Sequence, residues 1–201
     1  IYKKHNKKVV FIIHNKILTP KEWINNPYIS FTRNANTIDC NLSSYNAGLE
    51  WSENKQHHSV VDRCLAFGIK PPNNISPVIE YTETETQKIK NLLKLLPEKF
   101  VCIEPNAKTD WSVNKGFPFN KWQNIVDKLV EQNITVVQVS IPDKKLLNNV
   151  IDFRTSLSSF RECACLLKYC NLFISTEGGL MHAAAANNNP AFTIFSPMFN
   201  P

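Results

Sequence analysis

TEGGLMHAAAANNNP, residues 176–190, decides the fold. It follows the apolar run Leu172–Ser175 and precedes Ala191–Phe195, a second run of strand length. Between them stand two of the chain's five glycines, Gly178 and Gly179, and then a block of alanines. The reading is strand, tight turn, helix, strand. Glycine allows a sharp turn and lets a ligand come close to the backbone. The unsatisfied N–H groups of the first helical turn point outward with the positive end of the helix dipole. The junction from Glu177 to His182 is therefore expected to hold a phosphate. His182 falls in the first turn and would donate to a phosphate oxygen, while the alanines let the helix pack close to a sheet. The spacing is neither the dinucleotide fingerprint nor a P-loop. Taken by itself it leaves open a plain turn with a surface histidine.

The same alternation runs back through the chain. Phe100–Ile103, Ile134–Val139 and Val150–Phe153 read as strands. Asn120–Gln132 reads as a helix with Trp122, Ile125, Val126 and Leu129 on one face, and Lys144–Asn149 as a short helix. Ser159-Phe160-Arg161-Glu162 reads as a capping box opening a helix that runs to Tyr169. Thr84-Glu85-Thr86-Gln87 starts another, with Ile89, Leu92, Leu93 and Leu96 at helical spacing and Pro97 as its stop. Strands alternating with helices in this way argue for α/β architecture, a doubly wound, Rossmann-like parallel sheet.

Before that region the pattern weakens. Val9–Ile13 is a continuous apolar run, as expected of a strand covered on both faces. Thr19-Pro20-Lys21-Glu22 reads as a helix start, Ile29–Thr32 as a short strand, Asn34–Gln56 as mostly loop, and His58–Phe67 as a helix closed by Gly68. Lys70-Pro71-Pro72-Asn73-Asn74 is a stiff, polar connector. The expected division is therefore 1–77 and 78–201. The chain opens on Ile1 and stops at Pro201 soon after a strand-like run, which suggests a fragment.

Of the 201 residues, 43% are hydrophobic and 20% charged, which fits a globular chain and not a disordered one. The net charge of +6 suits an anionic ligand or an acidic membrane surface, or a solvated lysine surface. None of the six cysteines forms a CxxC pair, so neither a zinc ribbon nor a thioredoxin-type motif is indicated. Buried free thiols in a reducing cytoplasm are expected. Cys163 and Cys165, two apart on a helix, would point to different faces. His57, His58 and Asp62 lack a third ligand at suitable spacing, and no metal is expected. No apolar run reaches the ~20 residues of a membrane span.

Three blocks, in order, carry a family resemblance. Phe173-Ile174-Ser175-Thr176-Glu177-Gly178-Gly179-Leu180-Met181-His182-Ala183-Ala184-Ala185 resembles the signature of the bacterial heptosyltransferases. Their usual form is an apolar strand, an acidic residue, a small residue, glycine, an apolar pair, histidine and a small-residue helix. Asn114-Lys115-Gly116-Phe117-Pro118-Phe119-Asn120-Lys121-Trp122 is similar to that family's lysine, aromatic, proline and tryptophan block. Thr155-Ser156-Leu157-Ser158-Ser159-Phe160 is similar to its threonine-serine-leucine lead into a helix. Together they span about Val101 to Pro197.

The resemblance implies a glycosyltransferase of two facing Rossmann-like halves. The C-terminal half, 78–201 here, would bind a nucleotide-diphosphate sugar resembling ADP-heptose. Residues 1–77 would be part of the acceptor-side half. The acceptor would be a glycan or lipid-linked, and transfer would be inverting, without a metal or other cofactor. The implied location is cytoplasmic, with the inner face of the cytoplasmic membrane as a peripheral seat, and no nucleic-acid partner. Gly178, Gly179, Leu180 and Met181 would offer backbone N–H groups to the diphosphate, with His182 beside them. Glu177 stands where the family has aspartate and would contact the transferred sugar or its transition state. Lys115 matches the phosphate-contacting lysine. After Val139 the family tends to show glycine and a ribose-binding glutamate, but here the text is Ser140-Ile141-Pro142-Asp143-Lys144, and Asp143 would substitute. The family's catalytic aspartate, near its first glycine-rich loop, would lie outside this chain. Without it the alternative is a non-catalytic nucleotide-sugar- or glycan-binding protein on the same fold.

Overall fold

A computed structural model of the chain describes residues 7–13, 16–17, 19, 24, 26–27, 29–41, 61, 64, 70–73, 75–106, 115–140, 142 and 144–195. The chain divides into two compact units, Ile1–Ser76 and Pro77–Pro201.

In the first unit β1 (Lys8–Ile13) pairs antiparallel with β2 (Lys16–Ile17) and parallel with β3 (Thr37–Asn41), in the order β2-β1-β3. The run Val9–Ile13 is a strand, as its composition requires, and Val10 is fully buried. Two expectations need correction. Ile29–Thr32 contributes a single bridge, Ile29 to Val9, and no strand. β3 lies inside the stretch expected to be loop. Polar side chains build the turn that leads into it: Asn36 N–H donates to Asn34 Oδ1 at 2.8 Å, and Thr37 Oγ1 donates to the Asn34 carbonyl at 2.8 Å. Such local bonds set chain direction without any apolar signal. The helices expected at Thr19 and at His58–Phe67 lie outside the described residues, apart from the isolated positions Thr19, Val61 and Cys64.

The second unit is the doubly wound sheet. Five parallel strands, β4 (Phe100–Glu104), β5 (Thr135–Gln138), β6 (Ile151–Asp152), β7 (Leu172–Thr176) and β8 (Ala191–Ile194), stand in the order β6-β5-β4-β7-β8. The helices are α1 (Glu83–Leu93), α2 (Phe119–Glu131), α3 (Phe160–Leu167) and α4 (Gly179–Ala186). Side chains alternate along each strand, so each face has its own core. Phe100, Cys102, Val137 and Phe173 pack with Ile89 of α1, Leu166 of α3 and Ala183 and Ala184 of α4. Val101, Ile103, Val136 and Ile174 pack with Trp122 and Val126 of α2. Burying each large apolar side chain contributes about 1.5–3 kcal/mol. α3 is buried over most of its circumference, so Cys163 and Cys165, expected to face apart, are both buried. Along with Cys64, Cys102 and Cys170 they are free thiols.

Helix α1 begins earlier than its Thr84 signal because Thr82 is the N-cap. Glu85 N–H donates to Thr82 Oγ1 at 3.1 Å and Thr82 N–H to Glu85 Oε2 at 2.8 Å, a reciprocal capping box. At α3 only half of the expected box forms. Glu162 N–H donates to Ser159 Oγ at 3.2 Å, but the Glu162 carboxylate accepts from Ser158 N–H at 2.6 Å and pairs with Lys88 of α1 at 2.7 Å. Arg161, 4% exposed, forks onto both Glu85 oxygens at 2.6 and 2.8 Å and donates to the Glu80 carbonyl at 2.6 Å. The guanidinium, with the Thr82 bonds, pulls the Glu85 carboxyl down to about 2. Lys144–Asn149, expected to be helical, forms no helix among its described residues. There the Gln138 side chain replaces helical hydrogen bonds, donating to the Lys145 carbonyl at 2.9 Å and accepting from Leu147 N–H at 2.8 Å.

Candidate functional site

Strand order marks a candidate site. From β4 the sheet grows one way through β5 and β6, and the other way through β7 and β8. The reversal falls between β4 and β7, so a ligand crevice is expected outside the carboxyl ends of these two strands. Open α/β sheets bind ligands at that point. The loop after β4 carries Lys115, and the turn after β7 carries Glu177, Gly178 and Gly179.

These loops meet through an ion pair. Lys115 Nζ lies 2.8 Å from Glu177 Oε1, with the side chains 30% and 10% exposed. The two charges are close, but Glu177 Oε1 has no aligned hydrogen-bond donor. The β7–β8 ladder reaches one residue beyond β7, with Glu177 N–H donating to the Ile194 carbonyl at 3.3 Å, which fixes the backbone from which the carboxylate projects.

Helix α4 then starts at Gly179 with Gly178 as its N-cap, and no side chain caps it. Its first N–H groups are thus left without the usual side-chain oxygen. Neither glycine is required by a left-handed backbone, because Gly178 has φ 175° and is extended. What differs between them is the space around each. A Cβ on Gly178 would meet nothing within 4 Å, whereas one on Gly179 would stand 3.1 Å from Cε2 of Phe160. Gly179 lets α4 close onto the start of α3, and Gly178 keeps the approach to the helix end open. Leu180 is buried in the core, Met181 is half-buried and His182 is exposed. Of the residues picked out by sequence, Lys115, Glu177, Gly178, Gly179, Leu180, Met181 and His182 lie at this one edge of the sheet. Asp143 lies outside the described residues, as do His57, His58 and Asp62. Pro118 is the N-cap of α2, and Trp122 is fully buried against Phe117 at 5.2 Å between ring centroids.

Sequence reasoning missed Glu104. It closes β4, and although its side chain is only half-buried, desolvation there pushes its carboxyl up to about 7. Its ladder partner on β7 is Ser175, fully buried with an unpaired Oγ. The signal was there, a carboxylate ending the apolar run Phe-Val-Cys-Ile before Pro105. Further along this edge, Asn106 Nδ2 donates to the buried Ser140 Oγ at 3.2 Å and ties the ends of β4 and β5 together. Among the described residues no group of three or more His, Cys, Asp or Glu could hold a metal ion, and no helix is long and apolar enough to cross a membrane.

The family described as glycosyltransferase family 9 (heptosyltransferase) matches residues 43–199. No curated protein matches the sequence. Among solved structures, a glycosyl transferase family 9 protein from Veillonella parvula is similar with a TM-score of 0.60 at 14% identity, over 78% of this chain and 49% of its own. The E. coli ADP-heptose LPS heptosyltransferase II gives 0.52 at 18% identity, over 66% and 46%. The E. coli heptosyltransferase WaaC with ADP gives 0.50 at 18% identity, over 73% and 48%. The chain thus spans just under half the length of these three solved structures, and at these identities the likeness is one of fold.

Proposed function

The chain belongs to glycosyltransferase family 9, and from that premise we propose that its second unit binds a nucleotide-diphosphate sugar for inverting, metal-independent transfer. The observation that carries this reading is the Lys115–Glu177 pair set across the strand-order reversal, beside a helix start that no side chain caps. The diphosphate would take the N–H groups of Gly178, Gly179, Leu180 and Met181, with His182 alongside. Lys115 would neutralise the charge that grows on the leaving diphosphate, a role a metal ion fills in other enzymes. Its present partner Glu177 would turn to the hydroxyls of the transferred sugar. Asp143 would serve the ribose. The first unit would be part of the acceptor-side half.

In the reaction an acceptor hydroxyl attacks the anomeric carbon from the face opposite the diphosphate. A new C–O bond forms as the bond to the diphosphate oxygen breaks, and the hydroxyl proton passes to a general base. ADP is the first nucleotide to test, supported by its presence in the WaaC structure. Heptose is the first candidate sugar. The acceptor is a glycan or a lipid-linked glycan, and the latter would seat the protein at the cytoplasmic face of a membrane. Calorimetric titration of the folded chain with ADP, UDP and GDP tests the reading. Saturable binding of ADP ahead of the other two is expected. No binding of any of them at millimolar concentration would remove it.

A further inference from the structure

We propose that Glu104 is a donor-site residue: its carboxyl binds the anionic donor in protonated form, at the strand-order reversal and beside the unpaired hydroxyl of Ser175. The inference rests on the donor-site reading above and adds a residue and a proton to it.

The geometry comes first. Glu104 and Ser175 are paired across the β4–β7 ladder, so their side chains leave the same face of the sheet. Phe173 and Cys102, one alternation earlier on each strand, pack on that face with Leu180, Ala183 and Ala184 of α4. The start of α4 therefore lies over the face that Glu104 and Ser175 share, and Glu177 is two residues beyond Ser175. Adjacent strands are about 4.8 Å apart. A diphosphate on the first turn of α4 would thus lie over the same face of the sheet as the Glu104 carboxyl. The Ser175 Oγ beside it is buried and unpaired.

Two acceptors cannot share such a place. An ionised Glu104 would repel the diphosphate, whereas a protonated one offers it an O–H donor. The proton is available, because burial places the titration of Glu104 at about 7. Other groups on the neighbouring elements do not compensate this charge. Cys163 of α3 feels Glu104 directly, but its thiol is pushed up to about 12, first by burial, and stays neutral. Glu162 of α3 is occupied by Lys88 of α1, Lys115 and Glu177 are paired with each other, and His182 of α4 is exposed. Donor binding should therefore take up a proton above neutral pH.

The test titrates ADP-glucose, whose diphosphate has no ionisation near neutrality, into the full chain and into Glu104→Gln between pH 6 and 9. Glutamine keeps the shape and donor capacity and cannot ionise. Wild-type affinity should fall by up to about tenfold per pH unit above 7, and calorimetry in buffers of different ionisation enthalpy should show uptake of up to one proton at pH 8. Glu104→Gln should bind as wild type does at pH 6, with a flat profile and no uptake. Binding by Glu104→Gln with the wild-type pH slope overturns this inference alone, as does loss of pH 6 binding in a folded variant. Failure of folded wild-type protein to bind ADP-glucose at any pH, with no binding of ADP, UDP or GDP either, overturns the donor-site reading, and this inference with it.

Discussion

Lys115 and Glu177 hold opposite charges 2.8 Å apart, and that changes what a substitution there reports. Lys115→Ala removes the proposed partner of the diphosphate and also leaves a mostly buried carboxylate uncompensated. A charge-assisted hydrogen bond is worth roughly 1.5–3 kcal/mol, so ADP affinity should fall about ten- to a hundredfold while adenosine affinity holds. The orphaned Glu177 should add a stability loss of about 1–2 kcal/mol, less than a fully buried pair would cost because Lys115 is partly solvated. Lys115→Ala with Glu177→Gln should regain the melting temperature without regaining ADP affinity. If the double variant recovers both, Lys115 acts only by satisfying Glu177.

Glycine is scarce in this chain, and at the element scale asparagine takes over its work. Asn133, Asn149 and Asn188 have φ of 59°, 60° and 53°. Asn133 ends α2, where its N–H donates to the Val130 carbonyl at 2.8 Å and Ile134 N–H to the Leu129 carbonyl at 3.0 Å. This is a helix end that usually takes glycine. Asn133→Ala should cost about 1–2 kcal/mol, since a Cβ without a polar side chain is strained there. Asn133→Gly should be nearly neutral. Thermal melts decide it, with the alanine variant roughly 2–8 °C below the glycine one. Equal melting temperatures would mean the left-handed turn carries no strain.

The elements of the second unit were legible because period and punctuation agreed. Leu172–Ser175, the glycine pair and the alanines could be read as strand, turn and helix without tertiary knowledge. Lys144–Asn149 misled because its order comes from one remote side chain, Gln138, which local propensity does not register. β3 was missed because a polar turn delivers Thr-Ile-Asp-Cys-Asn to β1, and its period of two spans only five residues. Glu104 escaped for a different reason. Its character comes from burial at the end of β4 and from Ser175, a neighbour 71 positions away, counting from 104 to 175. In the candidate site, the Gly178–His182 turn could be read directly, and Lys115 came through family resemblance. Their meeting across the crevice required the strand order.

At the scale of the whole molecule, we propose that the reversal of strand order between β4 and β7 seats a nucleotide-diphosphate sugar on the start of α4. Gly178 tests it most directly. A side chain at Gly179 would press on Phe160 at 3.1 Å and confuse packing with binding, but the space around Gly178 is open and its backbone is extended. Valine at 178 should therefore leave the fold intact while filling the volume through which a phosphate must reach the helix end. Titration of ADP into Gly178→Val, with a thermal melt of the same sample, is the decisive measurement. A melting temperature close to wild type with ADP binding abolished is the predicted result. Wild-type affinity for ADP in a normally folded Gly178→Val would contradict the claim.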